Sequence, residues 1–186
     1  MTAQLRPLAL LVAAVLTVGL AACGQRSTSL HGDTEAVYLD LGSLKYQVQL
    51  SRQLNPSDPE DVSYLTGLSP SDARLAPNQS WFAVWMLVEN HTGQMQMPSQ
   101  TFSIVDTQGN TYQPVTPDAT NRFVYRPLAI AGHGQIPDPS SAAFSSPTQG
   151  AVILFKVTEA SYDNRPLVLS IADPTSTRTA TVDLDV

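Results

Sequence analysis

Twelve consecutive residues, Gln79 to Asn90 (QSWFAVWMLVEN), constrain this chain most. Read with a period of two, Phe82, Val84, Met86 and Val88 fall on one face. Trp81, Ala83, Trp85 and Leu87 fall on the other. Both faces are apolar, so the run predicts a central strand covered on both sides. Its aromatic and β-branched content favours strand over helix.

The rest of the chain from about residue 35 keeps the same period. Tyr46, Val48 and Leu50 alternate with Lys45, Gln47 and Gln49, as in a half-buried strand. Phe102 to Val105 and Thr111-Tyr112 flank Gly109-Asn110, a hairpin signal. Asn121 to Arg126 reads as a further short strand, and Ala151 to Val157 as a core strand. Leu167, Leu169 and Ile171 alternate with Val168 and Ser170. Ala180, Val182, Leu184 and Val186 form one face of a last strand whose other face is polar, which suits an exposed or edge position. No long segment holds a 3.6 period. The best helical stretch is Ser69 to Leu75, interrupted by Pro70 and followed by Pro77. The expectation is an all-β fold, an antiparallel immunoglobulin-like β-sandwich of seven to nine strands.

Composition closes off other classes. The formal charge is −6, so the basic footprint that nucleic acid requires is missing. One cysteine in 186 residues excludes a disulfide scaffold and a multi-cysteine metal site.

That cysteine sits at a telling place. Arg6 is followed by a nearly continuous apolar stretch from Leu8 to Leu20, then by Ala21, Ala22 and Cys23. A charged start, apolar middle and small-residue end form the layout of a secretory signal. The run Leu20-Ala21-Ala22-Cys23-Gly24 resembles the bacterial lipobox. The resemblance implies a lipoprotein signal peptide over residues 1–22 and diacylglycerol on the Cys23 thiol. It also implies acylation of the new amino terminus and residence on the extracytoplasmic face of the cell membrane. Two or three acyl chains hold a protein stably where one is marginal. Residues 23–34 are polar and rich in Ser and Thr, as a flexible tether would be, and His31 is expected to be solvated there. Residues 35–186 form the expected sandwich domain.

Within that domain a second resemblance appears. A strand ends in Glu89-Asn90-His91-Thr92-Gly93. Phe102, Asp106, Gly109 and Tyr112 follow at "Phe-x-x-x-Asp-x-x-Gly-x-x-Tyr" spacing, and then Gly150, Phe155 and Val157 on a later strand. This is similar to the uncharacterised immunoglobulin-like domains of many Gram-positive lipoproteins, over about residues 79–172. The segment 127–150 is longer than their common pattern. The resemblance implies an envelope sandwich and carries no catalytic residue to transfer.

The chemistry inventory is short. There is no Gly-x-Ser-x-Gly elbow and no phosphate loop. The acids gather in turns and on the last strand, without the pairing that glycoside hydrolysis needs. No catalytic residue and no cofactor site is expected, and the chain is read as a non-enzyme. Asp106 to Asn110 lacks the further carboxylates of a calcium loop and reads as a turn. His91, Met95, Met97 and His133 offer imidazole and thioether ligands of the kind that suit Cu(I). They read more simply as turn and packing residues. The proline- and glycine-rich segment from Arg126 to Gly150 exceeds the usual connection length. It is either a gripping loop at one end of the sandwich or a variable insertion. Trp81 and Trp85 are assigned to the core. The functional expectation is a lipid-anchored envelope module that binds a ligand or a protein partner, with envelope copper handling as the alternative.

Overall fold

The computed structural model describes residues 29–185. Cys23, the signal-like segment and most of the expected tether lie outside the described residues. Among the described residues no helix is long and apolar enough to cross a membrane.

Among the described residues eleven strands run in chain order: β1 (His31–Gly32), β2 (Leu39–Leu41), β3 (Leu44–Gln53), β4 (Gln79–Asn90), β5 (Phe102–Val105), β6 (Thr111–Tyr112), β7 (Pro114–Val115), β8 (Gln135–Ile136), β9 (Ala151–Thr158), β10 (Leu167–Ala172) and β11 (Thr179–Leu184). Four of them, β1, β6, β7 and β8, have two residues each and lift the number above the expected nine. Two short helices, α1 (Pro59–Tyr64) and α2 (Ala142–Ser145), and a 3-10 turn (Glu159–Asp163) are the other elements among the described residues.

The strands form an all-β sandwich of two sheets. One has the order β1-β11-β10-β5-β6, the other β2-β3-β4-β9-β7, with β8 also paired to β4. All strand pairs are antiparallel except β1 with β11. The core between the sheets takes Phe82, Val84, Met86 and Val88 from β4 and Leu167, Leu169 and Ile171 from β10. Ala180, Val182 and Leu184 of β11 join them. The other face of β4 is covered as well. Trp81, Ala83 and Trp85 pack with Leu54, Tyr64, Val152 and Leu154 beneath the α1 segment. Tyr64 meets Trp85 edge-on at 5.3 Å and Phe123 at 5.2 Å. A central strand buried on both faces is what the run 79–90 required.

Three local expectations are corrected. Leu50 does not share the face of Tyr46 and Val48. A bulge between Val48 and Leu50 shifts the register on β4, so Leu50 pairs with Trp85 and packs in the outer cluster. An extra residue flips everything beyond it to the opposite face. The helix forms over Pro59–Tyr64 and not over Ser69 to Leu75, where the chain makes turns. Asp58 caps it by accepting from the amides of Glu60 and Asp61, with Pro59 in the first turn. The tether reading also stops short of residue 34. His31 and Gly32 pair with Thr181 and Val182, and Gly32 is buried. The His31 ring is exposed, as expected, and reaches Thr181 Oγ1 at 2.9 Å and Asp33 at 3.0 Å. β11 is therefore covered by β1 and is not an edge.

Candidate functional site

The long segment after β7 is built into the sheet. Residues 122–126 run alongside β9. Tyr125 N–H donates to Val152 O, and Val152 N–H donates to Phe123 O, both at 2.8 Å. This is less than the full strand expected for Asn121 to Arg126, because a single parallel bridge, Val124 to Val152, is made there. The chain then crosses to β8, which pairs with Val88 and Glu89 at the far end of β4. β9 pairs with β4 only from Met86 backward, so β8 takes the slot that β9 leaves. Between the two lie Pro137 to Gln149 and helix α2, capped by the Ser141 hydroxyl, which accepts from Phe144 N–H at 3.3 Å. At Gly150 the backbone (φ +125°) lies so close to β4 that a Cβ would sit 2.8 Å from that of Trp85. Only glycine fits there.

This excursion walls a groove of about 530 Å³. Arg122, Val124 and Arg126 line it at alternate positions, with Leu128, Ile130 and Ile136 among the apolar members and His133 and Asp138 among the polar ones. Arg126 donates to the carbonyls of Pro117 (3.1 Å) and Asp118. Arg122 is exposed. Asp138 is turned to its own loop, accepting from Ser140 N–H at 2.8 Å and Ser140 Oγ at 2.6 Å. The Ser140 hydroxyl, then its amide, hold the Asp138 carboxyl below its ordinary range. Beside the groove, the Thr120 hydroxyl and amide, with Arg126 adding to them, lower Asp118 in the same sense. In an acidic chain the groove is thus lined by two arginines, Arg126 held by main-chain carbonyls and Arg122 exposed. Such a site suits a ligand with an apolar body and an anionic group.

The candidate metal ligands lie at one end of this wall. Segments 91–97 and 130–134 are tied backbone to backbone: His133 N–H donates to Thr92 O at 3.0 Å, and Gln96 and Ile130 exchange amide bonds at 2.9 and 2.8 Å. Asn90, buried at the end of β4, donates from Nδ2 to the carbonyls of Gln94, Ile130 and Ala131 at 2.7, 3.0 and 2.9 Å. Its Oδ1 accepts from Thr92 N–H at 2.9 Å. The backbone of His133 thus approaches the segment of His91, Met95 and Met97. The His91 ring is engaged by Glu89 at 3.1 Å, and Met95 and Met97 are 70% and 44% exposed. Among the described residues, no group of three or more His, Cys, Asp or Glu is placed to hold a metal ion.

Trp81 and Trp85 are core, as expected. Asp106 to Asn110 is a hairpin turn. Burial opposes ionisation of Asp106, but bonds from Asn110, Tyr112 and the Gln108 amide outweigh it and hold the carboxyl below its ordinary range. The sequence reading missed Arg122 and Arg126. The signal was present, since Arg122-x-Val124-x-Arg126 in an extended stretch puts both guanidinium groups on one face.

The fold has solved counterparts. The chain is similar to the yjhA protein of Bacillus subtilis, with a TM-score of 0.56 at 9% identity, over 82% of this chain and 99% of that one. It is similar to the Bacillus subtilis ycdA protein, described as a candidate lipoprotein, with a TM-score of 0.50 at 10% identity, over 80% of this chain and 38% of that one. An uncharacterised β-sandwich protein of Clostridium difficile scores 0.47 at 10% identity, over 83% and 95%. No family model and no curated protein matches. At these identities the likeness establishes the β-sandwich fold alone.

Proposed function

We propose that the protein is a lipid-anchored, extracytoplasmic binding module of the bacterial cell envelope, and that the groove walled by residues 122–143 is its binding site. The observation that carries this reading is the groove itself. A segment too long for a plain connection is folded against β4, and Arg122 and Arg126 line the groove with Leu128, Ile130 and Ile136. Anchoring is supported by the run Leu20 to Gly24, with the chain's only cysteine at the lipobox position. One structural neighbour is itself described as a candidate lipoprotein. The copper alternative is supported by the pairing of segments 91–97 and 130–134 alone, and the binding reading takes precedence over it.

Two measurements test the proposal. Intact mass of the protein purified from membranes should show acyl chains on Cys23, and Cys23→Ala should release the protein from the membrane fraction. An intact amino-terminal methionine without lipid mass defeats the anchor. A photo-crosslinking amino acid at Arg122, in intact cells, should give a discrete adduct that the same group at exposed Gln108 does not. Equal labelling from both positions defeats the groove.

A further inference from the structure

The described chain begins at the same end of the sandwich that carries the paired loops 91–97 and 128–134. Ser29 O accepts from Asp40 N–H at 3.1 Å, next to the β2–β3 turn. Leu44, at that turn, pairs with Asn90, the last residue of β4. The turn after β10 closes on the same end, with Asp173 against Gly42. β1 runs parallel to β11, away from this end, so Ser29, where the described residues begin, sits at it.

Large apolar side chains are exposed here. Among the described residues, five large apolar side chains are exposed. Met95, Met97 and Leu128 (70%, 44% and 70%) lie on the two paired loops. The Gln96–Ile130 bridge turns Ile130 inward, which leaves Met95, Met97, Ala129 and Ala131 on the opposite, exposed face. Gly132 and Gly93 touch so closely that a Cβ on Gly132 would lie 2.6 Å from Gly93 C, which keeps the two loops in one layer. Several carboxylates around this end are partnered: Asp40 by Lys45 at 2.7 Å, Glu89 by His91 at 3.1 Å, Asp173 by Arg178 at 3.7 Å.

Distance selects the occupant. Five residues separate Cys23 from Ser29. Fully extended, that connection spans about 20 Å. The strand step of about 4.8 Å puts β4, two strands from β2, about 15 Å across the end from Ser29. We propose that Met95 and Met97 form a second membrane contact, seated in the headgroup layer of the bilayer that holds the acyl chains. The anchor fixes which end of the domain faces the lipid, and the loop patch fixes its tilt. This inference rests on the acylation of Cys23 proposed above.

The test uses the lipidated full chain in vesicles of equal parts phosphatidylethanolamine and phosphatidylglycerol. Met95→Cys, Met97→Cys and, at the opposite end, Gln108→Cys each give one free thiol for a nitroxide, because an acylated Cys23 does not react. Relaxation by a water-soluble nickel chelate should fall several-fold at positions 95 and 97 relative to the same protein in detergent-free buffer with a non-lipid amphipol. Position 108 should not change. Position 95 or 97 as accessible as position 108, with lipid mass present on Cys23, overturns the loop contact and leaves the anchor standing. A second label per chain with no lipid mass overturns the anchor, and the loop contact falls with it.

Discussion

Glu35 and Asp185 clasp each other across the edge of the sandwich. Asp185 N–H donates to Glu35 Oε1 at 3.2 Å, and Glu35 N–H donates to Asp185 Oδ2 at 3.4 Å. Ser51 closes the clasp, with its amide on Glu35 Oε2 at 3.0 Å and its hydroxyl on Oε1. The end of the chain is thereby tied to β3 and to the segment that follows β1.

Burial pushes the Glu35 carboxyl up from its ordinary value near 4.5. Bonds from Ser51 and Asp185 oppose the shift, and the Asp185 charge adds to it. A raised folded-state value means that stability is fully present below the ordinary value and declines as pH rises through the raised one. Wild type should therefore lose stability relative to Glu35→Gln over that window. Urea midpoints of both proteins, measured against pH, check this. A Glu35 carboxyl carbon that titrates at or below 4.5 by NMR refutes it.

Asn90→Ala should loosen the paired loops without unfolding the sheets. The side chain serves three carbonyls and two donors from a buried position; each carbonyl keeps another donor, but the Thr92 amide loses its acceptor and the side-chain ties between the two loops are lost. A cost of about 2 kcal/mol is expected. Amide exchange should quicken at Gln96, Ile130 and His133 while β10 keeps its protection. Uniform quickening across both sheets would argue that Asn90 stabilises the whole fold and not the loops.

Gly150→Ala should be among the most damaging small substitutions. The added methyl would meet Trp85 at 2.8 Å at a backbone angle that side chains rarely adopt. The expected loss is about 2 kcal/mol or more. Chemical denaturation measures it, and a loss below a few tenths would show that β4 and β9 can part at no cost.

Met95→Ala together with Met97→Ala should leave Cu(I) affinity as it is in wild type. The exposed thioethers serve the loop surface, and the His91 ring is held by Glu89. Competition titration with a chromogenic Cu(I) chelator decides the point. A loss of affinity in the double variant would restore the copper reading.

The sequence was most readable where burial leaves a periodic trace. Phe82 to Val88 and Leu167 to Ile171 could be assigned to their faces because every second residue meets the same core. Leu50 could not, because one extra residue at a bulge leaves no mark in polarity. α1 escaped notice because six residues carry too little period, although Asp58 and Pro59 marked its start. His31 and Gly32 escaped because their strand is short, and the pairing partner lies about 150 residues away. The groove was legible only as an unusual length between Arg126 and Gly150. Its cationic lining lay in the alternation of Arg122 and Arg126, which needs an extended backbone to be read.

β4 changes neighbours at Met86, from β9 to β8, and the chain between the two partners passes through neither sheet. The exposed residues between Pro137 and Gln149 can therefore be lengthened, shortened or replaced, around the buried Ala143 whose carbonyl holds the Gly150 amide at 3.1 Å, while the hydrogen-bonded register on both sides stays fixed. Evolution is free to remodel one bank of the channel without moving its bed, so related proteins could keep this scaffold and differ in what they hold.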